Sequence, residues 1–142
     1  MLACDKNTFL KENYDFESKN WAIKNEPTFD FEITNPAQAY NIYYNVRNGL
    51  SYPFYNLYLK NIITDSTGKN ISEKLDELIL ADPKTGNPHG EGVGDIFDHK
   101  LIALKNYRFP HKGKYKIKLK QYMRQNPLQD ILSVGITIEI PH

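Results

Sequence analysis

Strict alternation of apolar and polar residues is what most constrains this chain. In KYKIKLKQYM, Tyr115, Ile117 and Leu119 face one way and Lys116, Lys118 and Lys120 the other. A period of two suits an extended strand, whose successive side chains point to opposite faces, and gives a helix no apolar stripe. ILSVGITIEI repeats the pattern, with Leu132, Val134, Ile136, Ile138 and Ile140 on one face. So do TFDFEI, through Phe29, Phe31 and Ile33, and YNIYYNVRN, through Tyr40, Ile42, Tyr44 and Val46. Tyr55, Leu57 and Leu59 begin a further strand that runs to Ile63, closed by a turn at Asp65-Ser66-Thr67-Gly68. Asn48-Gly49 supplies another turn signal.

One segment carries two periods. In ISEKLDELILAD, Leu75, Leu78 and Ile79 have helical spacing while the LILAD end suits a strand, so a short helical turn is expected in the first half. Many short strands punctuated by Gly, Pro and Asn predict an all-β fold, an antiparallel β-sandwich of jelly-roll type. At 142 residues there is room for one core but not for two.

The first residues read differently. Leu2-Ala3-Cys4 matches the end of a bacterial lipobox, in which the cysteine is lipidated after signal-peptide cleavage. The charged and apolar regions that should lie upstream are missing, which fits a Met set in front of a nearly mature chain. An ordinary free thiol on a frayed terminus is the other reading. Asp5 to Lys19 is polar, with Phe9, Tyr14 and Phe16 scattered through it, and is expected to be a tether. Trp21 and Ile23 are expected to make the first core contacts. The organisation expected is therefore lipobox remnant and tether over 1–20 and a single domain over 21–142.

Several function classes are disfavoured. A formal charge of +1 offers no strongly basic face for nucleic acid. No apolar run approaches a membrane span. The four histidines, His89, His99, His111 and His142, lack zinc-motif spacing and have no second cysteine to assist them, so they are expected to be exposed loop residues, with no metal. Ser51, Ser66, Ser72 and Ser133 lie in no nucleophile elbow. No cofactor motif is present, and the chain is expected not to be an enzyme.

Three features remain as candidate sites. Gly90, Gly92 and Gly94 end a long loop from Asp82 to Asp95, where Asp82, Glu91 and Asp95 could converge on an ion or the loop could be purely structural. Lys112, Lys114, Lys116, Lys118 and Lys120 share one solvent face, either as a patch for an anionic partner or as a guard against edge-to-edge association. The 13% aromatic fraction is concentrated where Tyr40, Tyr43, Tyr44, Tyr52, Phe54, Tyr55 and Tyr58 crowd into one hairpin-like region. Tyr43 and Tyr58 fall on the polar side of their strands, placed to stack on sugars or grip a protein.

Taken together, YYNVRNGLSYPFYNLYL, LADPKTGNPHGEGVGDIFD and FPHKGKYKIKLKQYMRQNPLQDILSVGITIEI resemble the GldH family of gliding-motility lipoproteins of Bacteroidetes. Gln121-Tyr122-Met123-Arg124, Leu128 and Val134-Gly135 carry the resemblance most specifically, and His89 departs from it by standing where a tryptophan is expected. The resemblance implies a periplasm-facing envelope protein held in a membrane by a lipid such as palmitate on Cys4. It further implies partners among gliding and type IX secretion proteins, and no catalytic residues. A glycan-binding sandwich module is the alternative.

Overall fold

The computed structural model describes residues 7–141, so Cys4 lies outside the described residues. The strands, in chain order, are β1 (Thr8–Asp15), β2 (Asn20–Trp21), β3 (Thr28–Ile33), β4 (Tyr40–Gly49), β5 (Asn56–Asp65), β6 (Asn70–Ile79), β7 (Glu91–Val93), β8 (Ile96–Tyr107), β9 (Gly113–Gln121), β10 (Leu128–Gln129) and β11 (Ile131–Glu139). No helix occurs among the described residues. A five-stranded sheet in the order β1-β11-β4-β8-β7 packs on a four-stranded sheet in the order β3-β9-β5-β6, and β2 pairs with β10. Every pairing is antiparallel. The expected all-β antiparallel sandwich is what forms.

The alternating residues supply the core. Phe29, Phe31 and Ile33 of β3, Tyr40, Ile42, Tyr44 and Val46 of β4, and Tyr115, Ile117 and Leu119 of β9 are all buried. So are Leu57, Leu59 and Ile63 of β5 and Val134, Ile136 and Ile138 of β11, whereas Ile140, just past the end of β11, is exposed. At one end Phe31, Tyr40, Tyr107 and Tyr115 pack around Phe109 with ring centroids 4.8–5.9 Å apart. At the other, Trp21 is fully buried, stacks on Phe16 at 5.2 Å and donates its indole N–H to Asn25 O at 2.6 Å. Ile23 is not a core residue and stands exposed.

Three expectations give way. ISEKLDELI is strand throughout, pairing with β5 from Asn70 to Ile79. Its helical spacing is a by-product of an unusual inward face: Asp76 points between the sheets and the half-exposed Lys74 reaches across their edge, while Leu75 and Ile79 are exposed. Likewise, Thr8–Asp15 is not a tether but an edge strand along β11. Backbone hydrogen bonds rather than side-chain burial hold it, so its polar composition concealed it. The tyrosine-rich region is also no hairpin, because β4 and β5 lie in different sheets and residues 50–55 cross between them.

The connections fall at two ends. Residues 34–39, 66–69 and 108–112 cluster at the end where β1 starts and β11 finishes. Residues 16–27, 50–55, 80–90, 94–95 and 122–130 form the other end. Ile140 N donates to Asn7 O at 2.8 Å, which ties the two terminal strands together at the first end.

Gly135 makes that closure possible. A Cβ there would lie 2.1 Å from both Glu12 O and Asn13 Oδ1, so β1 approaches only because β11 has no side chain at this point. Gly135→Val should cost about 1–3 kcal/mol, the usual range for forced overpacking, and selectively speed amide exchange in β1. Urea denaturation and exchange measured on both proteins check this; unchanged β1 protection would contradict it.

Candidate functional site

The residues singled out from sequence do not assemble into one site. Tyr43 is on the outer face of the five-stranded sheet, while Tyr58 and Lys114, Lys116, Lys118 and Lys120 belong to the four-stranded one. No single ligand contacts both tyrosines through their outer faces. The lysine stripe does face outward, but β9 is an interior strand flanked by β3 and β5, so guarding an edge is not its role. Most of its charge is met locally: Lys116 pairs with Asp30 at 2.7 Å, and Lys118 and Lys120 reach Glu26 at 3.5 and 3.4 Å. Lys114 sits opposite Glu32 in the β3–β9 register. Lys60 and Lys120 also lie 5.0 and 5.8 Å from the Tyr122 ring centre.

The three loop carboxylates do not converge either. Asp82 caps its own turn, accepting from the backbone N–H of Lys84 and Thr85, and these bonds hold its carboxyl below the usual range. Glu91 lies on β7 opposite Asp98, and Asp95 sits in the β7–β8 turn. Among the described residues no group of three or more His, Cys, Asp or Glu is placed to hold a metal ion. The glycines there serve the backbone: Gly90 and Gly94 have φ of 75° and 62°.

What that loop does build is a cleft. Ala81 and Pro88 form a bridge that folds residues 82–87 into a tight excursion beside the 50–55 crossover. Between them opens a cleft of about 190 Å³ lined by Leu50, Tyr52, Phe54, Tyr55, Pro88 and Phe97 among others. Tyr52 is buried and fixed by donating to Asn56 O at 2.7 Å. Leu50, Phe54 and Tyr55 are instead 60%, 37% and 42% exposed. Large apolar side chains left open around a concavity suit contact with a partner.

Behind the cleft lies a residue the sequence reading misplaced. His99 is not in a loop but buried in β8, with Nε2 2.7 Å from Asn48 Oδ1. Asn48 Nδ2 donates to Gly49 O at 3.1 Å, so its Oδ1 is the acceptor and His99 Nε2 carries the proton. The alternation Phe97-His99-Leu101 could have signalled this inward position. Burial holds the imidazole below its ordinary pKa of 6.5, and His89 adds to that while Asp98 opposes it.

A second interior polar group joins the sheets. Tyr44 donates to Asp76 Oδ2 at 2.7 Å and accepts from Asn61 Nδ2 at 2.6 Å. Lys74 bridges Asp76 Oδ1 at 3.2 Å and Ala103 O at 2.8 Å. Burial, reinforced by Asp76, pushes the Tyr44 phenol far above its usual range, so it stays a neutral donor.

The outer face of the five-stranded sheet forms a polar trough of about 730 Å³ that extends past β8 to His89. Small residues of β11, Ser133 and Thr137, lie between longer ones from β1, β4 and β8. Arg47 pairs with Asp98 at 2.6 Å, Lys100 with Glu139 at 2.5 Å, and Asn45 donates to Thr137 at 2.8 Å. The Lys100 ammonium also lies 4.6 Å from the Tyr43 ring centre.

These elements define an all-β antiparallel sandwich with a loop-built cleft at one end. Comparison with known proteins makes it specific: the chain belongs to the GldH lipoprotein family, whose model matches residues 8–138. It is 32% identical to Gliding motility lipoprotein GldH of Flavobacterium johnsoniae over 98% of this chain and 89% of that one. It is 34% identical to the Gliding motility lipoprotein GldH homolog of Christiangramia forsetii over 96% of this chain and 86% of that one. The family is one of gliding-motility lipoproteins rather than a known family of enzymes. Among solved structures, the VP2 subviral particle of infectious bursal disease virus is similar at TM-score 0.38 and 12% identity, over 92% of this chain and 30% of that one.

Unfolded His99 takes up a proton near pH 6.5, whereas the buried ring resists until lower pH. The stability that the neutral His99 contributes is therefore present above 6.5 and is lost as pH falls below it. His99→Gln should flatten this decline, read from urea midpoints between about pH 5 and 7; parallel pH profiles for the two proteins would exclude it.

Proposed function

We propose that the chain is a non-enzymatic, lipid-anchored accessory protein of the cell envelope that serves gliding motility and type IX secretion through protein–protein contact. Cys4 is the attachment point, the membrane is engaged through its lipid, and the domain faces the periplasm. The family assignment supports the lipoprotein role, and Leu2-Ala3-Cys4 supplies the matching residues. A cysteine carrying more than one acyl chain would hold firmly, since a single chain gives only reversible binding.

One observation carries the contact reading: Leu50, Phe54 and Tyr55 are exposed around a cleft at the end of the sandwich opposite the start of β1. An anchor at Cys4 leaves that end free to meet a partner. Feeding labelled palmitate to the native host should label the protein, and Cys4→Ala should abolish the label; label retained in the variant would refute the attachment. Crosslinking in the native envelope should capture a protein partner through this cleft. Leu50→Asp with Phe54→Asp should lower that yield at least tenfold while leaving the urea midpoint nearly unchanged, as exposed substitutions do. Equal yields would remove the cleft from the interface.

The polar trough favours a second reading, an envelope-glycan module, because paired charges, amides and hydroxyls offer a neutral set of donors and acceptors. Calorimetric titration with envelope polysaccharide of the host, on the wild type and on Asn45→Ala, would decide it. Absence of heat for the wild type would end this reading.

A further inference from the structure

We propose that the end of the sandwich where β1 starts is a docking face for an anionic phospholipid surface, which holds the anchored domain upright with its cleft away from the bilayer. This rests on the attachment at Cys4. It begins from the correction that Thr8–Asp15 is strand and not tether. From Cys4 to Thr8 the chain can span at most about 14 Å, whereas a tether reaching Asn20 would span roughly 55 Å. The short reach confines one end of the domain to the headgroup region.

The charge distribution matches that placement. Around this end lie Lys69, Lys105, Arg108, Lys112 and Lys114, and the segments 34–39, 66–69 and 105–114 contain no Asp or Glu. None of these five cations has a carboxylate within 4.0 Å among the described residues, in contrast to Arg47, Lys60, Lys74, Lys100, Lys116, Lys118 and Lys120. The adjoining acids are otherwise engaged or set back. Asp65 is buried and accepts from Thr67 Oγ1 at 2.6 Å and from the backbone N–H of Thr67 and Lys69. Glu139 is paired with Lys100, and Glu32 faces Lys114 across the ladder. Phe9 and Ile140, both 36% exposed, add apolar surface beside the point where the chain emerges.

The far end has no such excess: Lys19, Lys24, Lys84 and Arg124 stand against Glu17, Asp82, Glu91, Asp95 and Asp130, and Glu26 is met by Lys118 and Lys120. The strands separate the two ends by roughly 30 Å. That is several times the Debye length of about 8 Å, so a lipid surface at one end acts on the basic set alone. An anionic surface therefore attracts one end and not the other, while a neutral one orients neither. Each Lys or Arg near such a surface contributes about a fivefold change in partition.

The sole thiol permits a direct test on the full chain. Cys4 is coupled to a maleimide-headgroup lipid in vesicles of phosphatidylcholine, with or without phosphatidylglycerol, and amide exchange is followed. Exchange in 34–39 and 106–112 should slow only on the anionic vesicles, reversibly with salt, while exchange in 50–55 stays the same on both. Lys105→Gln with Arg108→Gln and Lys112→Gln should remove the protection. In the uncoupled protein, the same three changes should lower partition onto anionic vesicles by roughly a hundredfold. Equal exchange of 34–39 and 106–112 on both vesicles, slowing at 50–55 on the anionic ones, or no effect of the three substitutions overturns the proposal. Because the coupling supplies the anchor chemically, a host that does not lipidate Cys4 refutes the attachment without altering this outcome.

Discussion

The pairing of β11 between β1 and β4 is the constraint on which the rest of the architecture depends. It joins the beginning and end of the chain in one sheet and brings both to the same end of the sandwich. Val134, Ile136 and Ile138 turn inward from this strand with almost no exposure, so β11 supplies both the ladder and the core. Its other face carries Ser133, Gly135 and Thr137, whose small size admits β1 at one point and leaves the trough beside it. Everything else is arranged around a strand that is apolar on one side and nearly bare on the other.

The opposite edge of the sandwich is held differently. There β6 faces β8 across the gap, and no ladder joins them. Tyr44, Asn61, Lys74 and Asp76 close that edge with hydrogen bonds and one ion pair, and Lys74 reaches a carbonyl of the other sheet. A polar network in such a place specifies how the sheets align because each donor has a particular acceptor. The one buried side-chain atom lacking a partner among the described residues, Asn61 Oδ1, belongs to this network.

The two ends of the sandwich, beyond these edges, differ in chemistry. One gathers lysines and an arginine without a carboxylate in its loops, next to the start of β1. The other gathers exposed aliphatic and aromatic side chains around a cleft built by the 50–55 crossover and the glycine-containing loop. Under the attachment proposed at Cys4, this polarity would set which chemistry meets lipid and which meets a partner. A long tether would have blurred that distinction.

Sequence by itself determined the class of fold, the inward faces of β3, β4, β5, β9 and β11, and the turn after Asp65, because burial on one side of a sheet writes itself as a period of two. It also carried the family motifs. Tertiary structure decided what depends on neighbours that are distant in the chain. Thr8–Asp15 is a strand only because β11 offers it a backbone ladder, which polar side chains do not advertise. The first half of β6 is a strand although its inward residues are charged, because Tyr44 and Ala103 O receive them. Tyr43 and Tyr58 both stand outward, as the alternation implies, yet only the sheet order reveals that they face opposite ways. The lysines of β9 formed a legible stripe, but their acidic partners lie some ninety residues earlier and meet them only in the folded sheet. Side-chain periodicity is local and survives in the sequence; the pairing of charges, edges and loop ends is a property of the closed sandwich.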